Sequence, residues 1–206
     1  MITEERKIKF QKAAAASQTD VTVVLENVHD PHNIGAILRS CDSVGIREVY
    51  VLYNEHSKNA LRQYVGLHSA SGALKWVDVH FFHDTRSCFK EVRKKYTLIA
   101  GTHLSSESKS VHDIDFSGSV AFVFGNEKSG LSKEVLPFLD INFIIPQYGL
   151  VQSLNVSVAC AVTLFEMSRQ RYIHGNYNKN FNPLILDMNR TFEKFTSRHL
   201  ESLKSK

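Results

Sequence analysis

Apolar positions along this chain follow two periods, and the switches between them mark the predicted elements. Residues 3–16 (TEERKIKFQKAAAA) are rich in strong helix formers and predict a helix. VTVVLENV, 21–28, is β-branched and nearly unbroken, which predicts a buried strand. Pro31 closes that segment. Asn33 then reads as the cap of a helix in which Ile34, Ile37, Leu38 and Cys41 recur at i, i+3, i+4 and i+7. REVYVL, 47–52, predicts a second strand, and ALKWVDVHFF, 73–82, contains a third, with a helix near 84–94 behind it. A fourth strand starts at Tyr96 in YTLIAGTHL. SVAFVFGNEKSG supplies a fifth, followed by a short helix near Ser132. Phe143–Ile145 forms a sixth, and the last long helix runs from Asn155 to about Arg171.

Strands alternating with helices predict an α/β fold: a mostly parallel sheet with helices on both faces. The expected organisation is an N-terminal helical extension over 1–19, a main domain over 20–172 and a C-terminal extension over 173–206. The last of these is Asn-rich from Asn176 and then amphipathic. No internal repeat or low-complexity tract interrupts the pattern.

Composition narrows the class. The 206 residues suffice for one sizeable core, and 43% hydrophobic with 22% charged residues is ordinary for a globular domain. No apolar run approaches the roughly 20 residues that span a bilayer. The charged start, MITEERKIKFQK, lacks the apolar stretch of a secretory leader. Cys41, Cys88 and Cys160 are odd in number and far apart, which fits a reducing compartment better than a disulfide framework. Cytoplasm is the expected location, with no membrane association. Ten histidines show no H-x-x-x-H pair and no Cys/His cluster, so no metal is expected. The net charge of +4 is concentrated at the ends. Residues 1–12 carry four Lys/Arg against two Glu, and residues 170–206 carry seven against three acids. Basic ends on a slightly acidic core suit a phosphate backbone, although a solvated face looks the same.

Two nucleotide motifs are missing. The first strand leads into VHDPHNIGAI, not G-x-G-x-x-G, and no G-x-x-x-x-G-K-[ST] occurs. Three polar clusters stand instead at strand-to-helix junctions, where open α/β sheets usually bind ligands. They are HNIGAILRS with Asn33 and Arg39; FGNEKSGL with Gly125, Asn126, Glu127 and Gly130; and IPQYGLVQSLNVS with Gln147, Gly149, Gln152, Ser153 and Asn155. Taken singly, each has a plain explanation. Asn33, Ser153 or Asn155 can cap helices, the glycines can serve turns, and Arg39, opposite the apolar stripe of its helix, can be solvated. All three clusters at carboxyl ends of strands point to a shared site.

NIGAILRS, GNEKSGL and IPQYGLVQSLNVSVA, in this order, resemble the three motifs of the SpoU family of RNA 2′-O-methyltransferases. The resemblance covers roughly 20–172. ENVHDPHN, GTHLS, SRQR and short extensions at both ends are most similar to the family branch that methylates the ribose of guanosine 18 in the tRNA D-loop. Gln147 departs from the methionine common in the family. The resemblance implies a SPOUT-type fold, in which the C-terminal part of the parallel sheet threads a trefoil knot. It also implies a homodimer and S-adenosylmethionine as cofactor, bound by irregular backbone between the last strand and helix. By the same resemblance Thr102, Gly125, Ile145 and Leu154 contact the cofactor. Arg39, Asn33, Glu127, Ser153 and Asn155 form the catalytic set.

Arginine is an unusual group for activating a hydroxyl, because its pKa of about 12 or more keeps it protonated. Two roles stay open: stabilising a developing alkoxide beside a phosphate, or acting as a base in a site that removes its proton. Other readings are a 23S rRNA or different tRNA target, or a non-catalytic RNA-binding module of the same fold. The last long helix is apolar nearly all round, so several of its faces need covering, by the chain itself or by a second copy.

Overall fold

The computed structural model describes residues 2–54, 75–151 and 153–204. Its centre is a seven-stranded sheet: β1 (Val21–Glu26), β2 (Glu48–Leu52), β3 (Asp78–Phe82), β4 (Leu98–Thr102), β5 (Lys109–Ser110), β6 (Val120–Phe124) and β7 (Ile141–Ile144). The order is β3-β2-β1-β6-β4-β7-β5, and every pairing is parallel. Val23 lies between Val49 and Phe122 in the register. The α-helices among the described residues are α1 (Glu4–Ala15), α2 (Pro31–Ser43), α3 (Thr85–Lys95), α4 (Val156–Ile173) and α5 (Leu186–Lys204).

Successive strand side chains point to opposite faces, and each face has its own core. Val23, Leu25, Val49, Val51, Phe122 and Phe124 pack with α2 and α4 through Ile34, Ile37, Cys41, Cys160 and Leu164. Val24, Tyr50, Leu52, Ala121 and Val123 pack with α3 through Cys88, Phe89 and Val92. β1 and β6 are buried at every position, which is why VTVVLE and VAFVF show no polar alternation.

Two local expectations are corrected, and one strand was not foreseen. Asn33 is not a helix cap. Pro31 occupies the first turn of α2 and the Asp30 carboxylate accepts from His32 N, so capping is complete three residues earlier. No α-helix forms near Ser132. The chain turns there and makes only a 3-10 turn at Leu136–Phe138, where Pro137 has no N–H to continue a helical ladder. The two-residue strand β5 was too short to leave a periodic signal.

The terminal segments meet each other. Phe10 of α1 lies 5.7 Å from Phe195 of α5 and 5.5 Å from Trp76, forming a small third cluster with Ala14. A fully buried cation ties α4 to the start of the sheet. Arg171 donates to both Asp20 carboxylate oxygens at 2.7 and 3.0 Å, to Gln18 Oε1 at 2.9 Å, and to the carbonyls of Phe116 and Gly118. Among the described residues, no helix is long and apolar enough to cross a membrane.

Candidate active site

The carboxyl ends of β4, β6 and β7 open into a cavity of about 600 Å³. β6 delivers the first wall. Gly125 follows it and is buried where the chain folds back. A Cβ there would lie 2.3 Å from the carbonyl of Gly130, so only glycine fits. The turn closes through Asn126 N to Gly130 O at 3.1 Å and Gly130 N to Asn126 O at 2.8 Å, with Gly130 at φ +66°. Within it, Asn126 Oδ1 accepts from Lys128 N and Ser129 N. The tip of this turn carries Glu127 to the rim.

The first polar cluster reaches the same rim. Since Asp30 caps α2, the Asn33 amide is free for longer-range bonds. Asn33 Nδ2 donates to Glu127 Oε1 at 2.7 Å, and Asn33 Oδ1 accepts from Asn155 Nδ2 at 3.0 Å. Asn155 does double duty: its Oδ1 caps α4 by accepting from Ser157 N at 2.8 Å. The three clusters of the sequence are thereby joined by side-chain hydrogen bonds.

The second wall is the segment between β7 and α4, whose described residues form no helix or strand. Backbone groups in such a segment are not engaged in a sheet ladder and are available to a ligand. Thr102, Gly125, Ile145 and Leu154 all line the cavity, as do Glu127 and Ser153. Phe124, Phe143 and Val156 give it an apolar floor. Gln147 also lines it, whereas Gln152 lies outside the described residues.

Arg39 stands apart. It is exposed on the face of α2 opposite Ile34, Ile37 and Leu38, does not line the cavity, and makes no hydrogen bond or ion pair among the described residues. Asn33 and Asn155 are brought together with Glu127, but Arg39 is not. Sequence reasoning passed over His103 and Leu104, which line the cavity directly after Thr102. Their signal was GTHLS at the end of a strand. Burial raises the thiols of Cys41 and Cys160 well above their ordinary value, so neither offers a thiolate behind the site. Among the described residues no group of three or more His, Cys, Asp or Glu is placed to hold a metal ion.

A parallel sheet whose carboxyl-end loops converge on one cavity, carrying these three motifs, defines a class. Residues 20–165 match the model of the SpoU rRNA Methylase family, and the chain belongs to that family. Within it, the chain is 37% identical over 177 residues to the tRNA (guanosine(18)-2'-O)-methyltransferase of Thermus thermophilus, covering 86% of this chain and 89% of the relative. Its fold is similar to the crystal structure of the TrmH/SpoU tRNA modifying enzyme of A. aeolicus, with TM-score 0.79, 30% identity, and 95% and 97% of the two chains covered. It is also similar to the SpoU methyltransferase AviRb of Streptomyces viridochromogenes, solved with AdoMet. There the TM-score is 0.64 at 25% identity, over 76% of this chain and 62% of that one.

Proposed function

We propose that this chain is an S-adenosylmethionine-dependent methyltransferase acting on a ribose 2′-hydroxyl of tRNA, at guanosine 18 of the D-loop. The observation that carries this reading is the hydrogen-bonded run Glu127–Asn33–Asn155, which joins the three motif loops at the rim of one cavity. A volume of about 600 Å³ is within the range of small-molecule sites. Its apolar floor suits an adenine, and its irregular backbone wall suits the polar groups of a nucleoside. Thr102, Gly125, Ile145 and Leu154 would hold the cofactor. Bound there, S-adenosylmethionine supplies the methyl group.

The chain's own task is to place and polarise the hydroxyl. Arg39 has free donors that bind a backbone phosphate and stabilise negative charge growing on the ribose oxygen. Asn33, held from both sides, and Glu127 order the rim, while Ser153 and Asn155 fix the second wall.

The assembly is part of the same reading. Val158, Phe165 and Tyr172 recur every seven residues on α4 and are 46%, 57% and 64% exposed. Tyr148, Leu150 and Val151 beside the cavity are also exposed. An apolar stripe of this kind calls for a covering surface, and a second copy of the chain is the occupant we assign. A homodimer would bring Arg39 of one protomer toward the cavity of the other, which accounts for its distance from its own. β7 lies between β4 and β5, two strands that precede it in sequence. That re-entry is what a threaded, knotted C-terminal segment requires. The domain reading is an extension over 1–19, a methyltransferase domain over 20–172 and a basic extension over 173–206, with the cytoplasm as location.

Transfer of labelled methyl from S-adenosylmethionine to total tRNA, followed by mapping of the modified nucleotide, tests the proposal. Label at guanosine 18 is expected. Label at another tRNA position or in 23S rRNA would move the target. No label in any RNA, with RNA binding retained, would favour a non-catalytic module.

A further inference from the structure

A second polar network lies beneath the active-site turn, and the chemistry above does not use it. Glu26, at the end of β1, is 1% exposed, yet its carboxylate faces no cation among the hydrogen bonds it makes. One oxygen accepts from Ser132 N at 2.9 Å, the other from Asn54 Nδ2 at 2.9 Å. Asn54 Nδ2 also donates to Thr85 Oγ1 at 3.0 Å, and Thr85 Oγ1 donates to Glu134 Oε2 at 3.2 Å. Asn27, the next residue, holds a left-handed φ of 52°. Its carbonyl accepts from Asn126 Nδ2 at 2.8 Å, and its own Nδ2 donates to Asn54 Oδ1 at 2.6 Å. Its Oδ1 is buried with no partner among the described residues.

These bonds grip the 125–132 turn at both ends. Asn126 ties its start to the Asn27 carbonyl, and Glu26 takes the N–H at its end, Ser132. Glu127 sits between the two anchors and bonds Asn33. A buried carboxylate with no cation among its described partners is costly to keep, and so is a non-glycine residue at positive φ. Both costs fall where the end of β1 meets the turn.

We propose that Glu26, with Asn27 and Asn126, is a positioning element that sets the height of the 125–132 turn, and so holds Glu127 within reach of Asn33. The inference rests on the methyltransferase reading for its kinetic consequence, though not for its structural one. A carboxylate accepts from two donors at once. Glutamine at position 26 accepts from only one and turns an NH₂ toward the other, so the Ser132 or the Asn54 bond is lost.

Two measurements test it. The first follows the side-chain amide signal of Asn33 by NMR in the full-length protein. In Glu26→Gln it is expected to move toward its position in Glu127→Ala. A signal that stays at the wild-type position overturns the proposal. Asn126→Ala, altered at a half-buried residue, gives the same reading should Glu26→Gln not fold. The second is a double-mutant cycle on kcat. Glu26→Gln is expected to lower kcat about 10- to 100-fold in the wild-type background, and less than about 3-fold when Glu127 is already alanine, while the fall in Tm is the same in both. Equal factors in both backgrounds would mean that Glu26 acts only through stability and would overturn the proposal. An inactive wild type defeats the methyltransferase reading instead, and the NMR comparison still decides this one.

Discussion

Asn33 and Glu127, 94 positions apart in sequence, meet through a 2.7 Å hydrogen bond from the Asn33 amide. The same amide's oxygen is held by Asn155. One asparagine thus connects the helix after β1, the turn after β6 and the cap of α4.

Glu127→Ala is expected to lower turnover much more than stability. Glu127 is exposed, and one such hydrogen bond contributes about 1 kcal/mol to folding. Its loss leaves Asn33 held at the rim from one side only, by Asn155. The check is kcat beside the thermal midpoint, and a fall in both that matches general unfolding would refute the assignment.

Arg39→Ala is expected to reduce kcat by about 100-fold or more, the scale of removing a charge-stabilising donor. Cofactor affinity should stay within about 2-fold of wild type, because Arg39 does not line the cavity. Calorimetric titration with S-adenosylmethionine separates the two effects. Lost cofactor affinity would take Arg39 out of the catalytic role.

Phe165→Glu is expected to yield a monomer in sedimentation experiments, with methyl transfer lost alongside. Phe165 is 57% exposed, so the charge costs an isolated chain little, but burying it unpaired in an interface is prohibitive. A variant that stays dimeric would place the interface elsewhere.

Acid sensitivity should trace in part to Glu48. Burial pushes its carboxyl up, but hydrogen bonds from His80, Tyr96 and Lys95 and the charge of Lys95 outweigh this and hold it at about 2, against an ordinary 4.5. A depressed carboxyl stabilises the fold fully above pH 4.5, and the contribution fades as pH falls toward 2. The stability gap between wild type and Glu48→Gln should therefore narrow across that window. Thermal midpoints measured from pH 6 to pH 2 provide the comparison, and a constant gap would exclude the effect.

Arg171→Ala is expected to destabilise the fold by about 2–4 kcal/mol, because Asp20 is half-exposed and water can take over its charge, whereas the other acceptors are left without a donor at about 1–3 kcal/mol for a buried group. The carbonyls of Phe116 and Gly118 and the Gln18 amide oxygen lose a donor at once. Denaturant unfolding measures this, and a loss below about 1 kcal/mol would show that water replaces the guanidinium.

Much of this was legible in the chain. Runs such as VTVVLE and VAFVF, apolar but for Thr22 and Glu26, declare strands covered on both faces, because they lack a regular alternation of apolar and polar residues. Ile34, Ile37, Leu38 and Cys41 announce which face of α2 turns inward, and Arg39 follows as outward by elimination. These are local properties, set by side-chain size and spacing alone. The tertiary structure decided what a single span cannot encode. Asn33 looked like a cap until Asp30 took that role and left its amide to reach Glu127 and Asn155. β7 was legible as a strand, but its place between β4 and β5 depends on how distant segments pack. Glu26 lay inside the predicted strand VTVVLENV and carried no signal of its own. Its work as an acceptor for Ser132 and Asn54 appears only once residues up to 106 positions away fold against it. Hydrophobic periodicity records which way a side chain points. Hydrogen-bond partners are chosen by proximity in space, and proximity exists only after the chain has folded.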